Sequence, residues 1–142
     1  MGEPFIRPFR QSDVDFAHEM TRIEDWNYSK RDIQRMLSLN PHGCFVAEID
    51  SKQVGHVFTV NYGSLGWIGL LIVRAEWRRK GVASLLMKKA IEHLLSKGVE
   101  TIRLEAAPTI ANLYRKFGFE EYDSLRFVRT KQKIKFTKKL EY

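Results

Sequence analysis

The chain has little cysteine and no long hydrophobic run, and each shortage excludes a class of protein. Cys44 is the one cysteine among 142 residues, so no internal disulfide can form, which fits a reducing cytoplasm. No apolar stretch approaches the roughly 20 residues that a membrane span requires. The first residues, Met1-Gly2-Glu3-Pro4, lack the basic start and apolar run of a secretory leader. We therefore expect a cytoplasmic protein without membrane contact.

Metal-binding and common nucleotide-binding signatures are missing as well. The four histidines, His18, His42, His56 and His93, have no ligand spacing with Cys44, so no metal is expected. The P-loop pattern Gly-x-x-x-x-Gly-Lys-Ser/Thr and the dinucleotide pattern Gly-x-Gly-x-x-Gly do not occur either. A phosphate site in this chain must therefore be of another type.

The charge balance of the chain is basic, while its overall composition is ordinary. Hydrophobic residues make up 44% and charged residues 29%, which predicts a single domain over 1–142 with one sizeable core. The net charge is +7, and much of it lies in Arg78–Lys80 and in the tail from Arg126 to Lys139. The alternation Lys133-Ile134-Lys135-Phe136-Thr137 is typical of an edge strand guarded by lysines, which is favoured over a nucleic-acid contact. Both a monomer and a homodimer stay open.

Local patterns predict a mixed α+β fold. Ser12 is expected to cap the first helix, and Ser29 with Asp32 forms the capping box of the second. The strand, helix, strand succession around residues 68–104 predicts two neighbouring parallel strands. The predicted elements after the second helix are strands over Phe45–Ile49, Val54–Val60 and Ile68–Val73, a helix that starts after Gly81 and stops at Gly98, a strand over Thr101–Leu104, a helix over Pro108–Lys116, and a closing antiparallel pair over Tyr122–Val128 and Ile134–Leu140.

The most informative segment is the basic turn Arg78-Arg79-Lys80-Gly81 between a strand and a helix. A helix start exposes backbone N–H groups without internal partners, and the helix dipole adds partial positive charge there. Gly81 allows the backbone to approach a ligand closely, and the three preceding side chains add full charges. This order predicts a phosphate or pyrophosphate site.

Two motifs identify a family resemblance. The pattern Arg-x-x-Gly-x-Ala from Arg78 to Ala83 resembles the cofactor motif of the GNAT superfamily of acyl-CoA-dependent N-acyltransferases, and Leu113–Phe119 resembles its Leu-Tyr-x-Lys-x-Gly-Phe signature. The resemblance implies a GNAT-like fold: a mixed, mostly antiparallel sheet of about six to seven strands with a splayed parallel pair, flanked by about four helices. It also implies an N-acetyltransferase that transfers acetyl from acetyl-CoA directly to a primary amine.

The same resemblance assigns a donor site. The pantetheine arm would pair with the backbone of Leu71, Ile72 and Val73, and one of their N–H groups would serve the developing oxyanion. The expected pyrophosphate contacts are Arg78, Arg79, Lys80, Gly81, Val82, Ala83 and Ser84. Asn112 would replace a CoA-contacting asparagine that the short segment Ala106–Thr109 lacks.

Two residues match positions that carry proton transfer in the family. Tyr114 matches the tyrosine that protonates the departing thiolate, although a tyrosine packed on the sheet is the alternative. Leu104-Glu105 resembles the pair that carries a general base in the ribosomal-protein branch. A solvent-facing Glu105, with water removing the amine proton, stays open. Cys44 lies outside both motifs and is not expected to act as a nucleophile.

The acceptor is the part that the sequence leaves open. Trp26, Tyr28, His56, Tyr62 and Trp67 are candidate acceptor contacts, and the amine can belong to a small molecule or a protein. The alternative function is a catalytically weak CoA-binding sensor, or a basic nucleic-acid-associated module, on the same fold.

Overall fold

The computed structural model describes residues 2–105, 111–123 and 126–130. They form one seven-stranded sheet with the order β1-β2-β3-β4-β5-β7-β6, in which β4 and β5 are parallel and every other neighbouring pair is antiparallel. The predicted fold class is confirmed. The elements are β1 Phe5–Pro8, a 3₁₀ turn Gln11–Asp13, α1 Val14–Ile23, α2 Lys30–Leu39, β2 Cys44–Ile49, β3 Lys52–Asn61, β4 Leu65–Val73, a 3₁₀ turn Ala75–Trp77, α3 Val82–Ser96, β5 Thr101–Glu105, α4 Ala111–Lys116, β6 Glu120–Asp123 and β7 Arg126–Thr130.

Helices cover both faces of this sheet. One face carries α3 and α4, whose Leu86, Leu94 and Tyr114 join the buried cluster that also holds Leu71 and Val73 of β4. The opposite face carries α1 and α2. Two smaller buried clusters lie there, one around Ile33, Phe58 and Leu70, the other formed by Phe16, Met20 and Ile72. Alternate residues of β4 therefore face different helix layers.

Of the two helix caps that the sequence predicts, the structure shows one and lacks the other. Ser29 and Asp32 form the predicted capping box, since each side chain accepts a hydrogen bond from the other's backbone N–H. The expected cap at Ser12 is wrong, because that residue lies inside the 3₁₀ turn that precedes α1. The neighbouring Asp13 side chain is buried and accepts two hydrogen bonds of 2.8 Å from the Arg7 guanidinium. This ion pair fastens β1 to the start of α1.

The end of the chain departs from the predicted strand boundaries. The span Tyr122–Val128, predicted as one strand, contributes to two, because β6 ends at Asp123 and β7 begins at Arg126. These two strands form the closing antiparallel pair. The expected strand Ile134–Leu140, most of the basic tail and the segment Ala106–Thr109 lie outside the described residues. Within the described part of the chain, no helix is both long and apolar enough to cross a membrane.

Candidate active site

The central feature of the site is the gap that opens between β4 and β5. The two strands pair over three positions, Leu65 to Trp67 on β4 and Thr101 to Arg103 on β5. Beyond Trp67, β4 continues to Val73 without a partner residue on β5. The backbone of this strand segment therefore faces a gap, which is the splayed parallel pair that the resemblance implies.

A β-bulge lies in the same segment of β4. The antiparallel register with β3 passes from Gly69 opposite Phe58 to Ile72 opposite His56, so it leaves Leu70 and Leu71 without partners in the described sheet. Leu70 has a φ of 50°, in the left-handed region that residues other than glycine rarely adopt. Bulges bend a strand and increase its twist, and this one lies in the part of β4 that has no partner residue on β5.

The turn before α3 has the geometry expected of an anion site. Arg79 and Gly81 both have positive φ, 62° and 84°, and residues 78–81 are exposed. No hydrogen bond among the described residues uses the backbone N–H groups of residues 79–84 as donors. A Cβ built on Gly81 would meet nothing within 4 Å. The N-terminus of α3, which is 15 residues long, is thus open to an anionic ligand.

Arg78 is held by the protein itself. Its Nε donates to the carbonyl of Val73 at 2.9 Å, and its Nη2 donates to Glu24 at 2.8 Å. The side chain is 48% exposed, so the pair with Glu24 is partly solvated. This guanidinium therefore fastens the end of β4 to the end of α1, a role that the expected pyrophosphate contact did not include.

Tyr114 lies on α4 within the buried cluster of the α3 face. Its side chain is 4% exposed, and its ring contacts Phe119 edge-on with centroids 6.2 Å apart. Burial raises the pKa of Tyr114 to about 12, because the charged phenolate is disfavoured in apolar surroundings. The phenol keeps its proton at neutral pH, which both the proton-donor and the packing interpretations allow.

The structure carries less information on two other expected site residues, the candidate base Glu105 and the candidate CoA contact Asn112. β5 ends at Glu105, whose Cα lies opposite Arg126 of β7, and its side chain lies outside the described part of the structure. Asn112 is exposed on α4, where its Oδ1 accepts a hydrogen bond of 2.9 Å from Arg115.

Of the five aromatic and histidine residues expected at an acceptor site, the structure brings two together. Tyr62 and Trp67 line a largely apolar depression of about 330 Å³ on the α2 side of the sheet. Met36, Leu39, Asn40 and Val60 complete its wall. Tyr62 is 67% exposed and Leu39 is 71% exposed, so the depression opens to solvent.

The other three lie elsewhere. Trp26 is partly exposed in the connection between α1 and α2, and Tyr28 packs against the buried cluster around Ile33. His56 is fully buried, so its side chain contributes no exposed atom to a pocket wall, and its expected contact with the acceptor stays a prediction. Burial lowers its pKa to about 4, so the ring is neutral at physiological pH.

A cysteine nucleophile and a metal centre find no support in the described residues. Cys44 is buried on β2, and burial raises the pKa of its thiol to about 12, far above the range of reactive cysteines. No group of three metal-ligating side chains comes together within residues 2–105, 111–123 and 126–130.

The bulge at Leu70 and the apolar residues of α2 beside Tyr62 were not predicted from the sequence. Gly69 was the available signal, since a glycine inside a strand often marks a bulge or a close approach. A Cβ on Gly69 would collide with the Trp67 indole, so that glycine leaves room for the ring. The packing of α2 against β3 depends on tertiary structure and had no local signal.

Comparison with known proteins agrees with this geometry. A model of the acetyltransferase (GNAT) family matches residues 8–119. An acetyltransferase of Pectobacterium atrosepticum is 28% identical over 127 residues, which cover 84% of this chain and 90% of that protein. Among solved structures, Ard1 from Thermoplasma volcanium matches with a TM-score of 0.81 and 22% identity, covering 89% of this chain and 97% of Ard1.

A Mycobacterium tuberculosis protein solved in complex with CoA matches with a TM-score of 0.74 and 16% identity, over 84% of this chain and 73% of that one. The two structural matches establish a shared fold. The family match spans most of the chain, including both motifs and the gap between β4 and β5. The chain therefore belongs to the acetyltransferase (GNAT) family.

Proposed function

We propose that the protein is an acetyl-CoA-dependent N-acetyltransferase that passes the acetyl group directly to a primary amine. Two neighbouring features carry this proposal: the gap between β4 and β5, and the open N-terminus of α3, the helix that follows β4. A strand edge can pair with the amide groups of pantetheine, while a helix N-terminus can bind pyrophosphate. CoA joins these two chemical groups in one molecule.

In this proposal the backbone of Leu71, Ile72 and Val73 lines the pantetheine arm, and residues 78–84 surround the pyrophosphate. We call residues 78–84 the cradle. It supplies backbone N–H groups from residues 79–84, together with the exposed side chains of Arg79 and Lys80. Arg78 contributes by holding Val73 and α1 in place. One N–H of β4 donates to the thioester oxygen as negative charge develops on it.

The transfer proceeds by addition followed by elimination. The neutral amine nitrogen forms a bond to the thioester carbon, the tetrahedral intermediate then breaks its C–S bond, and the nitrogen loses one proton to solvent or to a base. Tyr114 donates its phenolic proton to the departing sulfur and recovers one from solvent. The products are the N-acetyl amine and free CoA.

The pKa of Tyr114, about 12, would oppose proton donation to an ordinary thiolate, whose conjugate acid has a pKa of about 8.5. A thiolate that forms in apolar surroundings is more basic, as Cys44 illustrates with its pKa of about 12. We propose that the sulfur leaves into a similarly dry region, so that the two proton affinities become comparable.

The acceptor approaches from the α1 and α2 side, where Tyr62 and Trp67 lie. Trp67 occupies the last position at which β4 still pairs with β5, so the apolar depression begins where the gap opens. In this proposal the acceptor's side group contacts that depression while its amine reaches the thioester. Glu105 or a water molecule removes the amine proton.

Titration calorimetry with CoA, acetyl-CoA, pantetheine and ADP tests the donor site. CoA is expected to bind more tightly than either pantetheine or ADP, because it fills the gap and the cradle together. No heat of binding with CoA or acetyl-CoA at submillimolar protein would rule out the proposal.

A further inference from the structure

His56 of β3 is a fully buried histidine fixed on several sides. Its ring contacts Phe16 and Phe58 edge-on, with centroids 5.6 and 5.7 Å away. Its Nδ1 lies 2.7 Å from the carbonyl oxygen of Leu70. A carbonyl oxygen only accepts hydrogen bonds, so Nδ1 carries the proton and Nε2 carries a lone pair. The contacts therefore select one tautomer and one ring position.

The partner of this hydrogen bond is the bulge residue of β4. Leu70 has the left-handed φ of 50°, and the described sheet gives neither Leu70 nor Leu71 a partner residue. A buried carbonyl outside the regular ladder needs another donor, and the imidazole N–H supplies it. His56 is thus the side chain that donates a hydrogen bond to the carbonyl of the bulge residue, from the α1 side of the sheet.

The orientation of the Leu70 carbonyl also sets the orientation of the Leu71 N–H. Leu70 and Leu71 share one trans peptide plane, in which the carbonyl and the N–H point in opposite directions. With the carbonyl turned to His56, the N–H of Leu71 points away from that ring. Leu71 is the first of the three residues that we place along the acyl donor.

We infer that His56 is a positioning residue: through its hydrogen bond to the Leu70 carbonyl it holds the β4 bulge and aims the Leu71 N–H at the thioester oxygen. The inference rests on the proposed function for the identity of that oxygen. Nε2 has no hydrogen-bond partner in the described part of the chain, so the bond from Nδ1 to the Leu70 carbonyl is the one polar contact that orients the ring there.

Two substitutions separate this role from mere core packing. His56→Asn keeps an N–H donor at the position of Nδ1, whereas His56→Phe keeps a ring and removes the donor. We expect His56→Phe to lower kcat roughly 10- to 100-fold with an almost unchanged KM for acetyl-CoA, as when an oxyanion donor is misdirected. His56→Asn should retain most of the kcat. A folded His56→Phe protein with wild-type kcat, or equal kcat losses in the two variants, would overturn the inference.

A spectroscopic test does not depend on turnover, and its first part uses the unaltered protein. Nitrogen-15 spectra of the imidazole should show the Nδ1–H tautomer, and the Leu71 amide resonance should move in His56→Asn more than the amides of β2 do. An Nε2–H tautomer would overturn the inference. Absence of acetyl transfer with the predicted tautomer and amide shift present would count against the proposed function and leave the His56–Leu70 link standing.

Discussion

The indole ring of Trp67 lies directly over Gly69, two residues further along β4. A Cβ built on Gly69 would stand 1.9 Å from the indole Cη2 and 2.0 Å from Cζ2, far inside any van der Waals contact. The ring therefore extends along the strand from the end of the β4–β5 pairing toward the bulge at Leu70. Only a glycine at position 69 leaves room for the ring. The ring can therefore connect the apolar depression with the proposed reaction centre.

Replacing Gly69 by alanine should expel the indole from its place. We expect Gly69→Ala to raise the KM for the amine, to leave the affinity for CoA unchanged, and to lower the free energy of unfolding by about 1–2 kcal/mol through overpacking. Steady-state kinetics with varied amine and chemical denaturation measure these effects.

The double variant Gly69→Ala/Trp67→Leu is the control for that prediction. Removing the indole relieves the clash, so the double variant should be destabilised by less than the sum of the two single variants. Strictly additive losses would show that Trp67 does not occupy the space above Gly69.

The two ends of α3 offer a matched pair of glycines for testing the cradle. Gly81 and Gly98 have φ of 84° and 83°, and a Cβ on either would meet nothing within 4 Å. Alanine at each position should therefore cost about 1 kcal/mol of backbone strain. Only Gly81→Ala should also weaken CoA binding, by roughly 3- to 10-fold, since relief of the strain shifts the N–H groups of the cradle. Equal CoA affinities in both variants, measured by calorimetry, would place the pyrophosphate elsewhere.

Loss of the Tyr114 hydroxyl should affect chemistry and not binding. Tyr114→Phe keeps the ring against Phe119, and we expect kcat to fall roughly 100-fold with an unchanged dissociation constant for CoA. Because burial raises the pKa of Tyr114 to about 12, the wild-type rate should show no loss of this acid up to about pH 10.

Phe119→Leu is the packing control for Tyr114. It disturbs the same buried contact while the hydroxyl stays in place, so stability should fall with little change in kcat. A kcat loss in Phe119→Leu as large as that in Tyr114→Phe would favour the packing interpretation of the tyrosine.

The buried pair of Arg7 and Asp13 should make the protein sensitive to acid. Burial by itself would raise the pKa of Asp13, but hydrogen bonds from Arg7, the Arg10 N–H and Gln53 outweigh it and lower the pKa. Because the folded-state pKa lies below the unfolded value, the contribution of the pair is complete above about pH 4 and is lost as the pH falls through the folded value.

Removing this charge at neutral pH should have a similar effect. Asp13→Asn leaves the buried guanidinium of Arg7 without its main partner, so we expect a loss of about 3 kcal/mol in the free energy of unfolding and a flatter stability profile below pH 4. Glu19→Gln, which breaks the exposed pair with Arg22, should leave the denaturation midpoint unchanged. Equal effects of the two substitutions would contradict the importance assigned to burial.

Local sequence signals predicted most of the fold, including the strand and the helix that flank the proposed donor site. The capping box at Ser29 and the glycines that flank α3 place their helices because these signals act within one turn of the chain. The expected cap at Ser12 was wrong because the 3₁₀ turn extends to Asp13, whose carboxylate pairs with Arg7 on a strand that only the tertiary fold brings near.

The finer geometry of the site depends on contacts between distant residues and could not be predicted. The carbonyl of the bulge residue Leu70 lies 2.7 Å from Nδ1 of His56 on the neighbouring strand, and this histidine, expected among the acceptor contacts, is fully buried. The depression beside Tyr62 forms only when α2 packs on β3. The roles of Tyr114, Glu105 and Asn112 stay predictions.

Amine-dependent release of the CoA thiol from acetyl-CoA tests the central claim most directly. A thiol reagent reports the release with little background, because Cys44, the one cysteine, is buried with its pKa raised to about 12. With a panel of amino acids, polyamines and peptides, at least one amine should raise the release rate to a saturating value and yield its N-acetyl product in equal amount by mass spectrometry. Release that no amine raises above the hydrolysis rate, in a protein that binds acetyl-CoA, would contradict the account.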